Sequence, residues 1–141
     1  MLQNNFQLHV FNELILSILH HTFRFLVPNF FENDARKRFT YKRIPIYDNS
    51  STDITTVMKE CIDFIRRSRH HGGVLVHCNK GVSRSVSVVI AYLMKIEEMS
   101  LDDAYKLVHS KRDVAKPNDA FMKQLAILEK KYITERVVSW C

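Results

Sequence analysis

Apolar positions along the chain recur at two spacings, and the period changes where glycine, proline or a capping residue intervenes. Phe11 to Leu19 has helical character. Phe23 to Val27 predicts a short strand before Pro28-Asn29, and Tyr41 to Ile46 alternates as another strand after the basic turn Arg36 to Arg38. Ile54, Val57, Cys61, Ile62 and Ile65 fall on one helical face, so a helix capped by Asp53 is expected to run to about Arg69, with Gly72-Gly73 as its breaker. Val74-Leu75-Val76 is a short apolar run of the kind buried in a parallel sheet. After a loop, a helix is expected from about Arg84; Val86, Val88, Val89, Ile90, Ala91, Tyr92 and Leu93 follow with little polar interruption, which predicts burial on most sides. Ser100 is placed to cap a helix carrying Leu101, Ala104, Leu107 and Val108, and Asn118 to cap a last one carrying Phe121, Met122, Leu125, Leu128 and Ile133. Strands alternating with helices define an α/β fold.

Composition adds limits to this picture. A chain of 141 residues with 46% hydrophobic and 26% charged residues has the make-up of one globular domain, and neither repeats nor low-complexity tracts divide it. The formal charge of +6 favours anionic partners without choosing among nucleic acid, acidic lipid and phosphorylated protein. Arg36, Lys37 and Arg38, with Lys42 and Arg43, are read as a solvated turn in preference to a docking patch or a localisation signal. Cys61, Cys78 and Cys141 are odd in number and unpaired in spacing, which argues against a secreted disulfide framework. The apolar run Leu14 to Leu19 is too short to span a bilayer, and no basic residue precedes it as in a secretory signal. A cytoplasmic or nuclear location is expected.

The chemistry concentrates in His77-Cys78-Asn79-Lys80-Gly81-Val82-Ser83-Arg84-Ser85, between a buried strand and a buried helix. A loop in that position turns successive N–H groups, here those of Asn79 to Arg84, into one concavity, and the helix dipole adds positive potential, which makes an anion site suited to phosphate. Gly81 allows the loop to curl, and the planar guanidinium of Arg84 fits two phosphate oxygens. Cys78 lies in the same field, which favours thiolate; a thiolate beneath a bound phosphate attacks phosphorus and forms a covalent intermediate. Ser85 is placed to hydrogen-bond the sulfur when it leaves. His77 either holds the loop by hydrogen bonding or tunes Cys78 electrostatically. Expelling an alkoxide or phenoxide calls for a general acid. Asp48, directly after the strand Tyr41 to Ile46, is the candidate; Asp53 is its competitor and is read as a helix cap. Cys61 falls on the apolar helix face and is read as core, a redox partnership with Cys78 being the lesser alternative.

The segment from about Phe23 to Ile133 resembles the catalytic domain of dual-specificity protein phosphatases. The resemblance rests on the signature HCxxGxSRS from His77 to Ser85, the IPxxD pattern at Ile44, Pro45 and Asp48, the AYLM segment Ala91 to Met94, and Pro117-Asn118 with Phe121, Gln124 and Leu125. It implies a mostly parallel central sheet flanked by helices. It also implies Cys78 as nucleophile, Arg84 as phosphate clamp, Ser85 as helper hydroxyl, Asp48 as general acid and Asn118 as support for the active-site loops. It further implies no metal or organic cofactor, and substrates that are phosphorylated proteins, protein kinases among them, carrying phosphotyrosine, phosphoserine or phosphothreonine. No nucleic-acid or membrane partner is expected.

The expected boundaries are a non-matching segment 1–22, a catalytic domain 23–135 and a tail 136–141. Residues 1–22 lack the family's two opening strands with their LYLG-like segment, so the sheet's N-terminal edge is expected to be missing or rebuilt, in a monomer or weak dimer. Two alternatives stand beside the protein phosphatase reading. One is a phosphatase for phosphoinositides or RNA 5′ ends, disfavoured because Lys80 is the only lysine in the loop. The other is a catalytically impaired module that binds phosphorylated proteins.

Overall fold

A computed structural model describes residues 21–24, 40–70 and 74–139. The elements in chain order are β1 (His21–Arg24), β2 (Thr40–Arg43), α1 (Thr55–Ser68), β3 (Val74–His77), α2 (Arg84–Ile96), α3 (Leu101–Lys111) and α4 (Asp119–Ser139). The three described strands form one sheet in the order β2-β1-β3. Both pairings are parallel, with His21 opposite Thr40 on one side and Val74 on the other. Parallel strands cannot be joined by a tight hairpin, and α1 lies in the connection that carries the chain from β2 past β1 to β3.

The strand expected at Phe23 to Val27 is described at His21–Arg24. The strand expected at Tyr41 to Ile46 pairs over Thr40–Arg43 only. Ile44 and Ile46 still alternate inward, each 1% exposed, but Pro45 between them has no N–H to give to a ladder. The assigned cap of α1 is Ile54, not Asp53, and it makes no side-chain capping bond. Asp53 acts one residue earlier, its Oδ1 accepting from the Thr55 N–H at 2.8 Å and the Thr55 hydroxyl at 2.7 Å. Helix α4 continues to Ser139 and so takes in most of the expected tail. The expected helix Phe11 to Leu19, the basic turn 36–38, the N-terminal sheet edge and Cys141 lie outside the described residues.

Helix α2 is the centre of the core. Every residue from Ser85 to Met94 is buried, and the helix packs against α1, α3, α4 and β3. Tyr92 is fully buried, with its hydroxyl taken by Arg69, which also pairs with Glu97 at 2.8 Å. Ser100 caps α3 by accepting the Asp103 N–H at 3.1 Å, and Asn118 caps α4 by accepting the Phe121 N–H at 2.9 Å. On α4 the buried stripe is Phe121, Leu125, Leu128 and Tyr132; Ile133, one of the apolar positions read on that helix, is exposed, as is Leu107 on α3.

Candidate active site

The loop Cys78 to Ser83 joins the end of β3 to the first turn of α2. Gly81 takes φ 63°, the left-handed region in which a Cβ is strained, and this turns the loop back toward the helix N-terminus. Cys78 is 5% exposed at the floor, and the Ser85 hydroxyl donates to its Sγ at 3.2 Å. Burial pushes the Cys78 thiol up. The Ser85 hydroxyl, backbone hydrogen bonds from Ser85 and Gly81, and the positive charge of Arg84 outweigh burial, so the thiol lies below its ordinary range. Cys61 shows the opposite balance: burial first, then the negative charge of Glu60, push it up to about 12. Two buried sulfurs in one domain are thus shifted in opposite directions by their surroundings.

Across the loop, Asp48 follows the buried Ile46 and is held by three groups. Its Oδ1 accepts from the Ser83 hydroxyl and from the Asn118 side-chain amide, each at 2.8 Å. Its Oδ2 stands 3.8 Å from Nε of Arg84. The Ser83 hydroxyl also accepts the Asn118 backbone N–H at 3.1 Å. Ser83 therefore ties the acid candidate, the phosphate loop and the start of α4 together. The far side of the Asp48 loop is fixed by Gln124, whose amide donates to the Thr52 carbonyl at 2.9 Å and accepts the Ile54 N–H at 2.7 Å.

Arg84 is mostly buried and reaches the Ile46 carbonyl through Nη1 at 3.4 Å, while its buried Nε has no hydrogen-bond partner. A buried guanidinium N–H without a partner is costly unless an anion takes it, and it lies beside both Asp48 and the loop. Asn79 and Lys80 are exposed at the rim, Val82 is half-buried, and His77 is half-buried at the end of β3. Asp53, the competing carboxylate, turns to Thr55 at the start of α1.

Two contributors escaped the pattern reading. Arg112, just after α3, donates to the carbonyls of Gly81 at 2.8 Å and Lys80 at 3.3 Å, and the Lys116 N–H donates to the carbonyl of Val82 at 2.8 Å. The only sequence signal was a basic residue ending a helix a few positions before Pro117-Asn118. Among the described residues, no group of three or more His, Cys, Asp and Glu side chains is arranged to hold a metal ion, and no helix is long and apolar enough to cross a membrane.

A cysteine under a strand-to-helix anion loop, with an arginine in the helix's first turn and a carboxylate facing both, is the layout of a cysteine-dependent phosphatase site. Residues 8–131 match the model of the dual specificity phosphatase catalytic domain. The chain belongs to that family. The match begins at residue 8, inside the segment 1–22 that the sequence reading set apart.

Among curated relatives, the chain is 48% identical over 93 residues to dual specificity protein phosphatase 1 of Arabidopsis thaliana, covering 65% of this chain and 47% of the relative. It is 47% identical over 105 residues to human dual specificity protein phosphatase 9, covering 74% and 27%. The chain therefore spans about half or less of the length of these relatives. Similar solved structures include the Yvh1 phosphatase domain from Chaetomium thermophilum, with TM-score 0.74, 28% identity and coverage of 80% and 79%. Another is the human tyrosine phosphatase-like serine/threonine/tyrosine-interacting protein, with TM-score 0.73, 32% identity and coverage of 82% and 80%.

Proposed function

We propose that the chain is a protein phosphatase that hydrolyses phosphotyrosine and phosphoserine or phosphothreonine through a cysteinyl-phosphate intermediate. The observation that carries this reading is the Cys78 sulfur, hydrogen-bonded by Ser85 at 3.2 Å beneath a loop whose flanking arginine has a buried, unpartnered Nε. In the first step the Cys78 thiolate forms the S–P bond as the P–O bond to the substrate oxygen breaks, and Asp48 gives that oxygen its proton. Arg84 and the loop N–H groups, from Asn79 through Lys80, Gly81, Val82 and Ser83, take the charge of the equatorial oxygens. In the second step water attacks phosphorus, Asp48 accepts its proton, and the S–P bond breaks with the Ser85 hydroxyl donating to the departing sulfur.

Oδ1 of Asp48 accepts two hydrogen bonds, so Oδ2, toward Arg84, is the oxygen left to carry the transferable proton. Thiolate chemistry needs a reducing compartment, which supports a cytoplasmic or nuclear location. The parallel pairing of β1 with both neighbours supports a mostly parallel central sheet flanked by helices. Replacing Cys78 by Ser tests the mechanism. Turnover of phosphotyrosine and phosphothreonine peptides is expected to vanish while peptide binding persists; retained turnover refutes the covalent route, and a wild-type chain that binds both peptides without releasing phosphate makes it a binding module.

A further inference from the structure

The rear of the anion loop is hydrogen-bonded carbonyl by carbonyl. Three successive carbonyls, those of Lys80, Gly81 and Val82, are hydrogen-bonded by the connector between α3 and α4, two by the Arg112 guanidinium and one by the Lys116 N–H. The connector is itself seated: the Ala115 N–H donates to the Arg112 carbonyl at 3.0 Å. Ala115 is fully buried, and its own carbonyl meets the Tyr105 hydroxyl at 3.4 Å and Nδ1 of His109 at 3.2 Å. Tyr105 and His109 stack with ring centroids 5.7 Å apart, so one face of α3 holds the connector in place.

A planar trans peptide points its C=O and its N–H in opposite directions. Fixing the Lys80, Gly81 and Val82 carbonyls toward the connector therefore directs the N–H groups of Gly81, Val82 and Ser83 away from it, toward the concave side. The Lys80–Gly81 peptide is the most direct case. Its carbonyl accepts from Arg112, while its N–H, that of Gly81, is one of the groups that hold the Cys78 thiol below its ordinary value. A cationic donor on the carbonyl also polarises the peptide and strengthens its N–H as a donor.

We propose that Arg112 is a positioning residue that sets the tilt of the Lys80–Gly81 and Gly81–Val82 peptides, and through them the anion-binding face of the loop. The proposal rests on the phosphatase reading above. The planar fork suits the task, because Nε and Nη2 reach adjacent carbonyls at once, whereas a lysine brings one point charge to one of them.

The test compares Arg112→Met and Arg112→Lys with the wild-type chain by orthovanadate affinity, the pH midpoint of Cys78 alkylation by iodoacetate, and melting temperature. In Arg112→Met, vanadate affinity is expected to fall about tenfold, the scale of one charge-assisted hydrogen bond, and the alkylation midpoint to move to higher pH. Arg112→Lys keeps the charge and the aliphatic stem, is the variant that decides if the Met variant does not fold, and is expected to recover less than half of the loss. Wild-type affinity and midpoint in both variants, with only the melting temperature lowered, overturn the proposal. Full recovery by lysine overturns it as well, because charge alone then suffices. A wild-type chain with an ordinary thiol and no vanadate binding removes the phosphatase reading and this inference together, whereas normal wild-type behaviour with unaffected variants removes this inference alone.

Discussion

Replacing Ser85 by Ala isolates one contact in the floor of the site. Ser85 is 0% exposed and Cys78 5%, and the hydroxyl lies 3.2 Å from the sulfur, so water cannot readily substitute for it. A hydrogen bond to a charged group contributes about 1.5–3 kcal/mol. Its loss should weaken the preference for thiolate by about that amount and so raise the Cys78 pKa. The direction of the pH effect follows from the lowered folded-state pKa. The contacts that favour the thiolate stabilise the fold above the ordinary thiol range, about 8.5, and that contribution is lost as pH falls through the folded pKa. Weakening them moves both this loss and the rise of reactivity to higher pH. Iodoacetate alkylation followed by peptide-resolved mass spectrometry reads the Cys78 midpoint directly, with buried Cys61, pushed up to about 12, as an unreactive internal reference. A second readout is pre-steady-state hydrolysis of p-nitrophenyl phosphate, in which Ser85→Ala should show a burst because the departing sulfur has lost its donor. An unchanged alkylation midpoint in a folded Ser85→Ala variant would refute the electrostatic account of Cys78.

Other substitutions probe the remaining parts. Asp48→Asn should slow alkyl phosphates and phosphotyrosine by on the order of a hundredfold or more and p-nitrophenyl phosphate far less; equal slowing across leaving groups removes the acid role. Gly81→Ala forces a Cβ into the left-handed region and should cost about 1–2 kcal/mol in urea denaturation, together with weaker phosphate binding; an unchanged midpoint speaks against the observed φ of 63°. Phe121→Ala, at a fully buried position on α4, should destabilise the domain by about 3–5 kcal/mol, and a shift under 1 kcal/mol would mean that α4 does not close the core.

What the sequence revealed divides by range. The loop from His77 to Ser85 was legible because its chemistry is written in consecutive residues, and Cys61 because helical spacing places it with Ile62 and Ile65. The Asp48 assignment rested on position after a strand, and the structure supplies its two hydrogen bonds from Ser83 and Asn118, which lie 35 and 70 residues away. No local pattern encodes such separations, which is also why Ser83 was read only for its place in the anion loop and Arg112, 31 residues from Gly81, was missed. Strand β2 was read too long because alternation continues through Ile44 and Ile46, while Pro45 ends the hydrogen-bonded ladder. Ile133 lies on the last helix as read but outside its buried stripe, because its neighbour Tyr132 continues the spacing of Phe121, Leu125 and Leu128.

The buried helix α2 has a consequence for how such a domain acquires new targets. Its first turn carries Arg84 and Ser85, which meet Asp48 and Cys78, and its remaining length is wedged among three other helices and a strand, so the floor of the site has almost no freedom to vary. Latitude is left to rim positions such as Tyr47, Lys80 and Lys116, which are exposed. Diversification of recognition should therefore run through edits at the mouth, with the reaction itself inherited unchanged.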